Sequence, residues 1–306
     1  MNEKIVILMS TYNGQEYLRM QLDSILNQTY KNLEIIIRDD GSSDDTIEIL
    51  KEYSQKYSNI SFYCGNNLKP AKSFLHLIKN VKNDAEYYAF ADQDDVWNDN
   101  KIEVAIDYLK TNSNIVPKLY FSDTILVDKD LNELTNLKKI ISRKITLGNA
   151  LIENVVTGCT CVFNRELKLL LEKIELEDVK CGYYHDSLAY RICSCVGEVY
   201  YDSIPHILYR QHPKNVIGNS NTLFNKVLKR KKNINNTINL RSSMAAYIYN
   251  KYIDEINEEN IETIKLIAFY KKNLKNRLKL FLNFKISRIS IVDDLLYRIG
   301  ILLGKI

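Results

Sequence analysis

Over the first 110 positions the apolar residues follow two alternating rhythms. Short runs at Lys4–Met9, Leu33–Ile37, Ile60–Cys64 and Tyr87–Ala91 are apolar at most positions. They have the length of strands, and near-continuous apolar runs are what strands buried on both faces look like. Between them apolar residues recur at helical spacing. Gly14–Leu26 places Tyr17, Leu18, Leu22, Ile25 and Leu26 on one stripe. Ser43 or Asp44 can cap a second helix, with Ile47, Leu50 and Tyr53 on its inner face. Pro70–Val81 reads as a helix with proline in its first turn, where a missing N–H costs nothing, and Asn98–Lys110 reads as another. A β-α-β-α-β-α-β order predicts a mostly parallel sheet covered by helices, with ligands beyond the carboxyl ends of its strands. The polar clusters fall there: Thr11-Tyr12-Asn13, Asp39-Asp40 and Asp92 to Asp95 each follow a strand.

From 117 to 212 the pattern is mixed. Lys118–Ser122, Thr160–Phe163, Glu198–Tyr201 and Ile207–Tyr209 read as strands and Asp186–Cys195 as a short helix. Beyond about residue 220 the rhythm is helical. One stripe holds Ile267, Tyr270, Leu274, Leu278 and Phe281, surrounded by Lys271, Lys272, Lys275, Arg277 and Lys279. A second holds Val292, Leu295, Leu296, Ile299, Leu302 and Leu303. The expected organisation is an α/β catalytic domain over 1–220 and a basic amphipathic helical region over 221–306.

Charge sharpens this division. The net charge of +4 is the sum of −6 over 1–220 and +10 over 221–306. A tail so biased is expected to meet something anionic, such as membrane lipid or a polyphosphate carrier. Basic residues beside a leucine-rich stripe suit an interfacial helix, whereas packing on the catalytic domain or on a second subunit in an oligomer accounts for the stripes equally well. No secretory leader and no apolar run approaching the ~18 residues of a bilayer span is visible. The expected location is cytoplasmic, or peripheral on the inner face of the membrane. The six cysteines, among them Cys159-x-Cys161 and Cys193-x-Cys195, lack zinc-site spacing and are expected to be reduced thiols.

Asp92-x-Asp94 at a strand end is the sharpest chemical signal. Two carboxylates on one turn make a hard-oxygen site for Mg²⁺ or Mn²⁺, a charge that stabilises a departing diphosphate. The same pair also occurs as a solvated acidic turn capping a helix. Asp39 at a strand end can accept an N–H from a nucleobase, with Gly41 allowing close approach. Thr11, Tyr12 and Asn13 are placed to contact the same nucleotide, or to form a plain turn.

Three segments in order, Ile7 to Gly14, Gln28 to Thr46 and Phe90 to Trp97, resemble glycosyltransferase family 2, and the likeness extends over about 1–215. It implies a GT-A fold, Rossmann-like with a mostly parallel central sheet, and inverting, metal-dependent transfer from a nucleotide sugar. It further implies that Thr11, Tyr12, Asn13, Asp39, Asp40 and Asp92 hold the nucleotide, and that Asp92 and Asp94, with His212, hold the metal. The matching general base is Asp186, which would take a proton from the acceptor hydroxyl. Asp95, Trp97, Thr157, Gly158, His185, Arg210 and Gln211 are expected near the donor or acceptor sugar. The form Phe-Ala-Asp-Gln-Asp-Asp-Val-Trp, with His185-Asp186 and Tyr209 to His212, is similar to bacterial rhamnosyltransferases of surface polysaccharide synthesis. This points to dTDP-L-rhamnose as donor and to a glycan or polyprenyl-diphosphate-linked acceptor. A UDP-hexose donor is the alternative. Many relatives carry Glu-Asp where this chain has His185-Asp186. The Gln-x-x-Arg-Trp motif of processive synthases is absent, so one sugar is expected to be added per acceptor.

Three rival classes are weaker. A nucleotidyltransferase would place a glycine-rich loop and a basic residue after the first strand, where this chain has Ser-Thr-Tyr-Asn-Gly. A non-catalytic nucleotide or carbohydrate binder would have no need of Asp39, Asp92, Asp94 and Asp186 together. Nucleic acid is not expected as a partner: Lys229 to Lys232 form a basic run without a reader motif or stacking aromatics.

Overall fold

Ile5 to Met9 have no exposed surface, which requires neighbours on both edges and both faces of their strand. The computed structural model describes residues 3–82, 84–111, 115–134, 145–180, 182–212 and 239–306. In it, β1 (Ile5–Thr11) lies between two parallel partners, β2 (Leu33–Asp39) and β4 (Tyr87–Ala91). β3 (Ile60–Cys64) continues the sheet beyond β2. Alternation along the strands feeds two cores. Ile5, Ile7 and Met9 share one with Ile35, Ile37 and the inner faces of helices Leu18–Leu26, Thr46–Lys56 and Lys101–Leu109. The opposite face packs Phe90 against Phe74 of helix Lys69–Asn80 and against Phe163, with ring centroids 5.3 and 4.9 Å away.

The sheet departs from the parallel pattern at one place. β8 (Val162–Asn164) lies between β4 and β6 (Lys118–Ser122) and is antiparallel to both. β9 (Glu198–Asp202) then pairs in parallel with β6, giving the order β3-β2-β1-β4-β8-β6-β9. The segment expected as strand Thr160–Phe163 is a strand only from Val162: Thr160 closes a 3-10 turn, Gly158–Thr160, that leads into β8. A second, three-stranded sheet pairs β10 (Ile207–Arg210) with β5 (Val96–Trp97) and β7 (Ile125–Val127). This small sheet ties the residues after the acidic turn to the residues before His212.

Two inner faces differ from expectation. In helix Thr46–Lys56 the buried positions are Thr46, Ile49, Leu50 and Tyr53, and Ile47 is only half-buried. Thr46 replaces it because its hydroxyl and N–H both donate to Asp44, which brings position 46 inward and sets the phase of the helix.

The chain forms two units. The first comprises 1–140, 156–193 and 198–212, and the second 141–155, 194–197 and 213–306. The second therefore takes in three pieces of the first 220 residues. The expected boundary at 220 and the basic run at 229–232 lie outside the described residues. Helices Leu240–Lys251, Glu258–Ala268, Leu274–Phe281 and Ile291–Leu302 build the second unit around Met244, Ile248, Ile264, Ile267, Tyr270 and Ile301. The stripe over 266–282 does not stay on one face. A 3-10 turn at Tyr270–Lys272 breaks it, and Asn273 caps a new helix by accepting from Asn276 N–H at 2.7 Å. Ile267 and Tyr270 are consequently buried, whereas Leu274 and Leu278 are exposed.

Candidate active site

Strand register brings the three polar clusters together. Thr11 pairs with Asp39 across β1 and β2, and Met9 pairs with Ala91, so Asp92 follows directly beside Ser10. Thr11 Oγ1 donates to Asp39 Oδ2 at 2.9 Å, and Asp40 N–H donates to the Thr11 carbonyl at 2.8 Å. Asp39 also accepts from the N–H groups of Gly41 and Ser42 at 3.0 and 2.8 Å and from Ser42 Oγ at 2.6 Å. With four donors, one from Thr11 on β1 and three from its own turn, the fully buried Asp39 carboxylate has its lone pairs filled. Its visible task is to shape the loop, which Gly41 completes at φ +80°. Asp40 is also buried; it pairs with Arg38 and accepts from Leu68 N–H at 3.0 Å.

Asn13 adopts a left-handed conformation at φ +48°, which asparagine tolerates better than other residues with a Cβ. Its N–H donates to Ser42 Oγ and its Oδ1 accepts from Ser43 N–H, at 2.9 and 2.8 Å. The loops after β1 and β2 are thus stitched to each other. Gln93 ties the third loop to the first: its Oε1 accepts from Tyr12 N–H at 2.8 Å and its Nε2 donates to the Tyr12 carbonyl at 3.1 Å. The Tyr12 ring stands out from this frame, 47% exposed.

The acidic turn holds an excess of negative charge. Burial, and then the charges of Asp94 and Asp186, push the Asp92 carboxyl up to about 7. Asp95 is fully buried, and burial beside Asp94 and Asp92 pushes it well above the usual carboxylate range. Its Oδ1 accepts from Arg210 N–H at 3.1 Å. Asp94 Oδ2 lies 2.8 Å from His212 Nε2. Asp92, Asp95 and Cys159 each bring a ligand atom within 4.8 Å of the others. Burial raises the Cys159 thiol well above its ordinary value. A buried, protonated thiol is a poor donor for Mg²⁺ or Mn²⁺, which take hard oxygen and imidazole ligands. The structure brings Asp92 together with Asp95 and Cys159, while His212 reaches the turn through Asp94; of these groups the carboxylates suit Mg²⁺ or Mn²⁺ best, and a divalent cation would add positive charge beside the buried Asp92.

Several residues expected near the sugar make supporting contacts within the fold. Arg210 is buried; it donates from Nε to the Asp94 carbonyl at 2.8 Å, from a terminal nitrogen to the Lys129 carbonyl, and lies 4.4 Å over the Tyr17 ring. Trp97 is buried as well, under the Lys101 ammonium 3.6 Å from its ring centre. Burial lowers that ammonium to about 7. Gln211 N–H donates to the Val127 carbonyl at 2.8 Å, extending the small sheet. Thr157 takes Thr160 N–H and Oγ1 on its carbonyl at 2.9 and 2.7 Å, fixing the turn before β8.

Helix His185–Val196 opens at the site. Asp186 Oδ1 accepts from Ser187 N–H at 2.7 Å. The His185 ring stacks on Phe74 with centroids 4.0 Å apart and meets Phe90 edge-on at 4.7 Å. Both ring nitrogens lack a hydrogen-bond partner, and burial lowers the group to about 4, so it is neutral near pH 7. Gly158 leaves room for this pair: a Cβ there would lie 3.0 Å from His185 Nε2 and 3.4 Å from the Asp186 Cβ. Sequence reasoning missed Gln93, Tyr17 and Cys159 as site neighbours. Tyr17 was assigned to the helix core, yet its ring lies 5.0 Å from that of His212, and desolvation raises its hydroxyl to about 12. Nothing local marks these three; only the fold brings them to the acidic turn.

A parallel sheet with an acidic turn at its carboxyl edge and a second carboxylate opening a nearby helix defines the GT-A class of glycosyltransferases, and solved structures share the fold. The crystal structure of Staphylococcus aureus TarS 1–349 in complex with UDP-GlcNAc superposes with a TM-score of 0.61, over 92% of this chain and 77% of that one, at 15% identity. The mannosyltransferase PcManGT from Pyrobaculum calidifontis, in complex with GDP-Man and Mn²⁺, gives 0.54 over 99% and 81%, at 14% identity. The chain belongs to glycosyl transferase family 2, whose model matches residues 6–169. It is 31% identical over 229 residues to the dTDP-rhamnosyl transferase RfbG of Shigella flexneri, covering 69% of this chain and 73% of that protein. It is 32% identical over 218 residues to the uncharacterized glycosyltransferase RT0329 of Rickettsia typhi, covering 68% of this chain and 64% of that protein.

Proposed function

We propose that the chain transfers one sugar per acceptor, with inversion, from a nucleotide sugar to a hydroxyl of a glycan or polyprenyl-diphosphate-linked acceptor. The favoured donor is dTDP-L-rhamnose, by likeness to a relative named for that activity. The work would be done on the cytoplasmic side in surface polysaccharide synthesis. The observation that carries this reading is spatial: a Cβ on Gly158 would lie 3.4 Å from the Asp186 Cβ, and the next residue, Cys159, brings its sulfur within 4.8 Å of ligand atoms of Asp92 and Asp95. A general base and a diphosphate site thus share one strand edge.

Asp186 takes the proton of the acceptor hydroxyl. The oxygen attacks the anomeric carbon from the face opposite the nucleotide, and the bond to the diphosphate oxygen breaks with its electron pair. One displacement inverts the centre. Asp92 and Asp94, with His212, would hold a Mg²⁺ or Mn²⁺ ion, which supplies positive charge for the leaving diphosphate. The loops around Thr11, Tyr12, Asn13, Asp39 and Asp40 would seat the nucleotide, Tyr12 by its exposed ring and Asp39 by holding the loop shape. Neutral His185 and Gly158 border the acceptor side of Asp186, and Arg210 keeps the acidic turn in place beneath.

Thermal stabilisation by a donor panel tests the reading, with Mg²⁺, with Mn²⁺ and with EDTA. Metal-dependent stabilisation by dTDP-rhamnose over UDP-sugars is expected. Preference for a UDP-hexose would keep the class and overturn the rhamnose assignment. No response to any nucleotide sugar would overturn the reading itself.

A further inference from the structure

Of the 18 large apolar side chains that stand exposed among the described residues, 11 lie between positions 274 and 303. Their concentration is the feature that the transferase reading leaves unexplained. In the last helix, Ile291–Leu302, and the residue after it, Val292, Leu295, Leu296, Ile299, Leu302 and Leu303 are each 44% to 64% exposed. They form one stripe at helical period. The opposite side already anchors the helix: Tyr297, Arg298 and Ile301 are buried, and Arg298 pairs with Asp294 at 2.9 Å and donates to the Phe281 carbonyl. The leucine stripe is therefore the outward face, and the helix does not need it for its own packing. Leu278 and Phe284 add exposed apolar surface in the preceding segment.

We infer that this outward face of the last helix is a docking surface for an anionic lipid bilayer. Charge selects the occupant. Residues 270–306 carry nine basic side chains against two acidic ones. Lys271, Lys272, Lys275, Lys279, Lys285 and Lys305 are all exposed. Lys275 and Lys279 directly follow Leu274 and Leu278 on one helix, so cationic and apolar surfaces adjoin. A two-fold contact between copies would bring this charge against itself. Lipid phosphates accept it, while the aliphatic stripe enters the headgroup–acyl boundary and lysine stems reach back to the surface. The helix has 12 residues, about 18 Å at 1.5 Å per residue, against a hydrocarbon core of about 30 Å. No helix among the described residues is long and apolar enough to cross a membrane. The mode is thus in-plane. The inference stands apart from the transferase reading, because it concerns lipid binding alone.

Co-sedimentation of the full chain with vesicles tests it, using phosphatidylglycerol and phosphatidylcholine at about 1:2 against phosphatidylcholine alone. Binding to the anionic vesicles at least ~10-fold tighter is expected, weakening as salt is raised. L295E/L296E/I299E should abolish binding, and K275Q/K279Q should weaken it, each leaving Tm within about 2 °C because the sites are exposed. L296W should shift its emission to the blue on anionic vesicles, against the constant signal of buried Trp97. If the triple variant fails to fold, these last two variants decide the matter. The inference is overturned if the wild-type chain stays in the supernatant with both vesicles, or if the glutamate variant sediments unchanged. A dimer dissolved by the glutamate variant, without vesicle binding, would overturn it in favour of a second copy.

Discussion

Under the proposed function Asp186, His185 and Asp39 play different parts, and their variants should separate accordingly. Asp186→Asn keeps shape and removes the base; transfer should fall by roughly 10²–10⁴-fold while nucleotide affinity stays within about twofold. Loss of both in a calorimetric titration would count against the base assignment. His185 acts through burial. Its folded value of about 4 lies below the ordinary 6.5. The neutral ring is favoured in the folded state, so its contribution is fully present above pH 6.5 and is lost as pH falls toward 4, when the unfolded chain takes up the proton first. The full effect is at most about 3 kcal/mol. Relative to His185→Phe, the wild-type melting curve should run parallel above pH 6.5 and drop away below it; a constant offset across pH 4 to 8 would contradict the assignment. Asp39 teaches a different lesson. Its position after a strand was legible in the sequence, but its four internal hydrogen bonds were not, because two donors come from residues that only the folded turn aligns with it.

At the scale of elements, the acidic turn depends on what lies below it. Arg210 spans from β10 to the carbonyls of Asp94 and Lys129. Arg210→Met would strand both carbonyls and cost on the order of 2–4 kcal/mol in chemical denaturation. His212→Ala, at the half-buried end of the same segment, should cost under about 1 kcal/mol yet remove the metal-dependent part of donor stabilisation. Equal stability losses in the two would erase the distinction between support and ligand. Gly41→Ala places a Cβ at φ +80° and should cost about 1 kcal/mol, with weaker nucleotide binding as the loop shifts. Of the first four strands, β1, β2 and β4 were legible as largely buried runs closed by a polar cluster, and β3, at the sheet edge and largely uncovered, as a short run rich in apolar residues. β8 was legible only in part: Val162 and Phe163 fall in the expected strand, but its three-residue extent is set by antiparallel pairing with Tyr87–Ala89 and Leu119–Tyr120, far away in sequence. In the small sheet β10 was legible as the run Ile207–Tyr209, whereas β5 and β7 escaped, since two- and three-residue pieces carry no period of their own.

Across the whole molecule, sequence composition revealed two characters, an acidic first part and a basic last part, and the convergence of polar clusters in the first was readable from its strand ends. Which face of the last helix turns outward was not readable, since an aliphatic stripe reads the same whether it meets a core, a partner or lipid. Only the burial of Tyr297 and Ile301 on the other side decides it. The small sheet has a consequence for how the enzyme comes into being. Asp94 and Asp95 are synthesised early, but His212 and Arg210, which hold them, follow 118 and 115 residues later. A chain growing from its amino end carries crowded carboxylates, without their counterparts, through more than a third of its translation. The nucleotide loops, built from neighbours within about 30 residues, can settle long before. A nascent chain arrested near residue 200 should therefore protect its β1–β2 loops from protease while remaining indifferent to Mn²⁺, and competence should arrive in one step once β10 has joined the sheet.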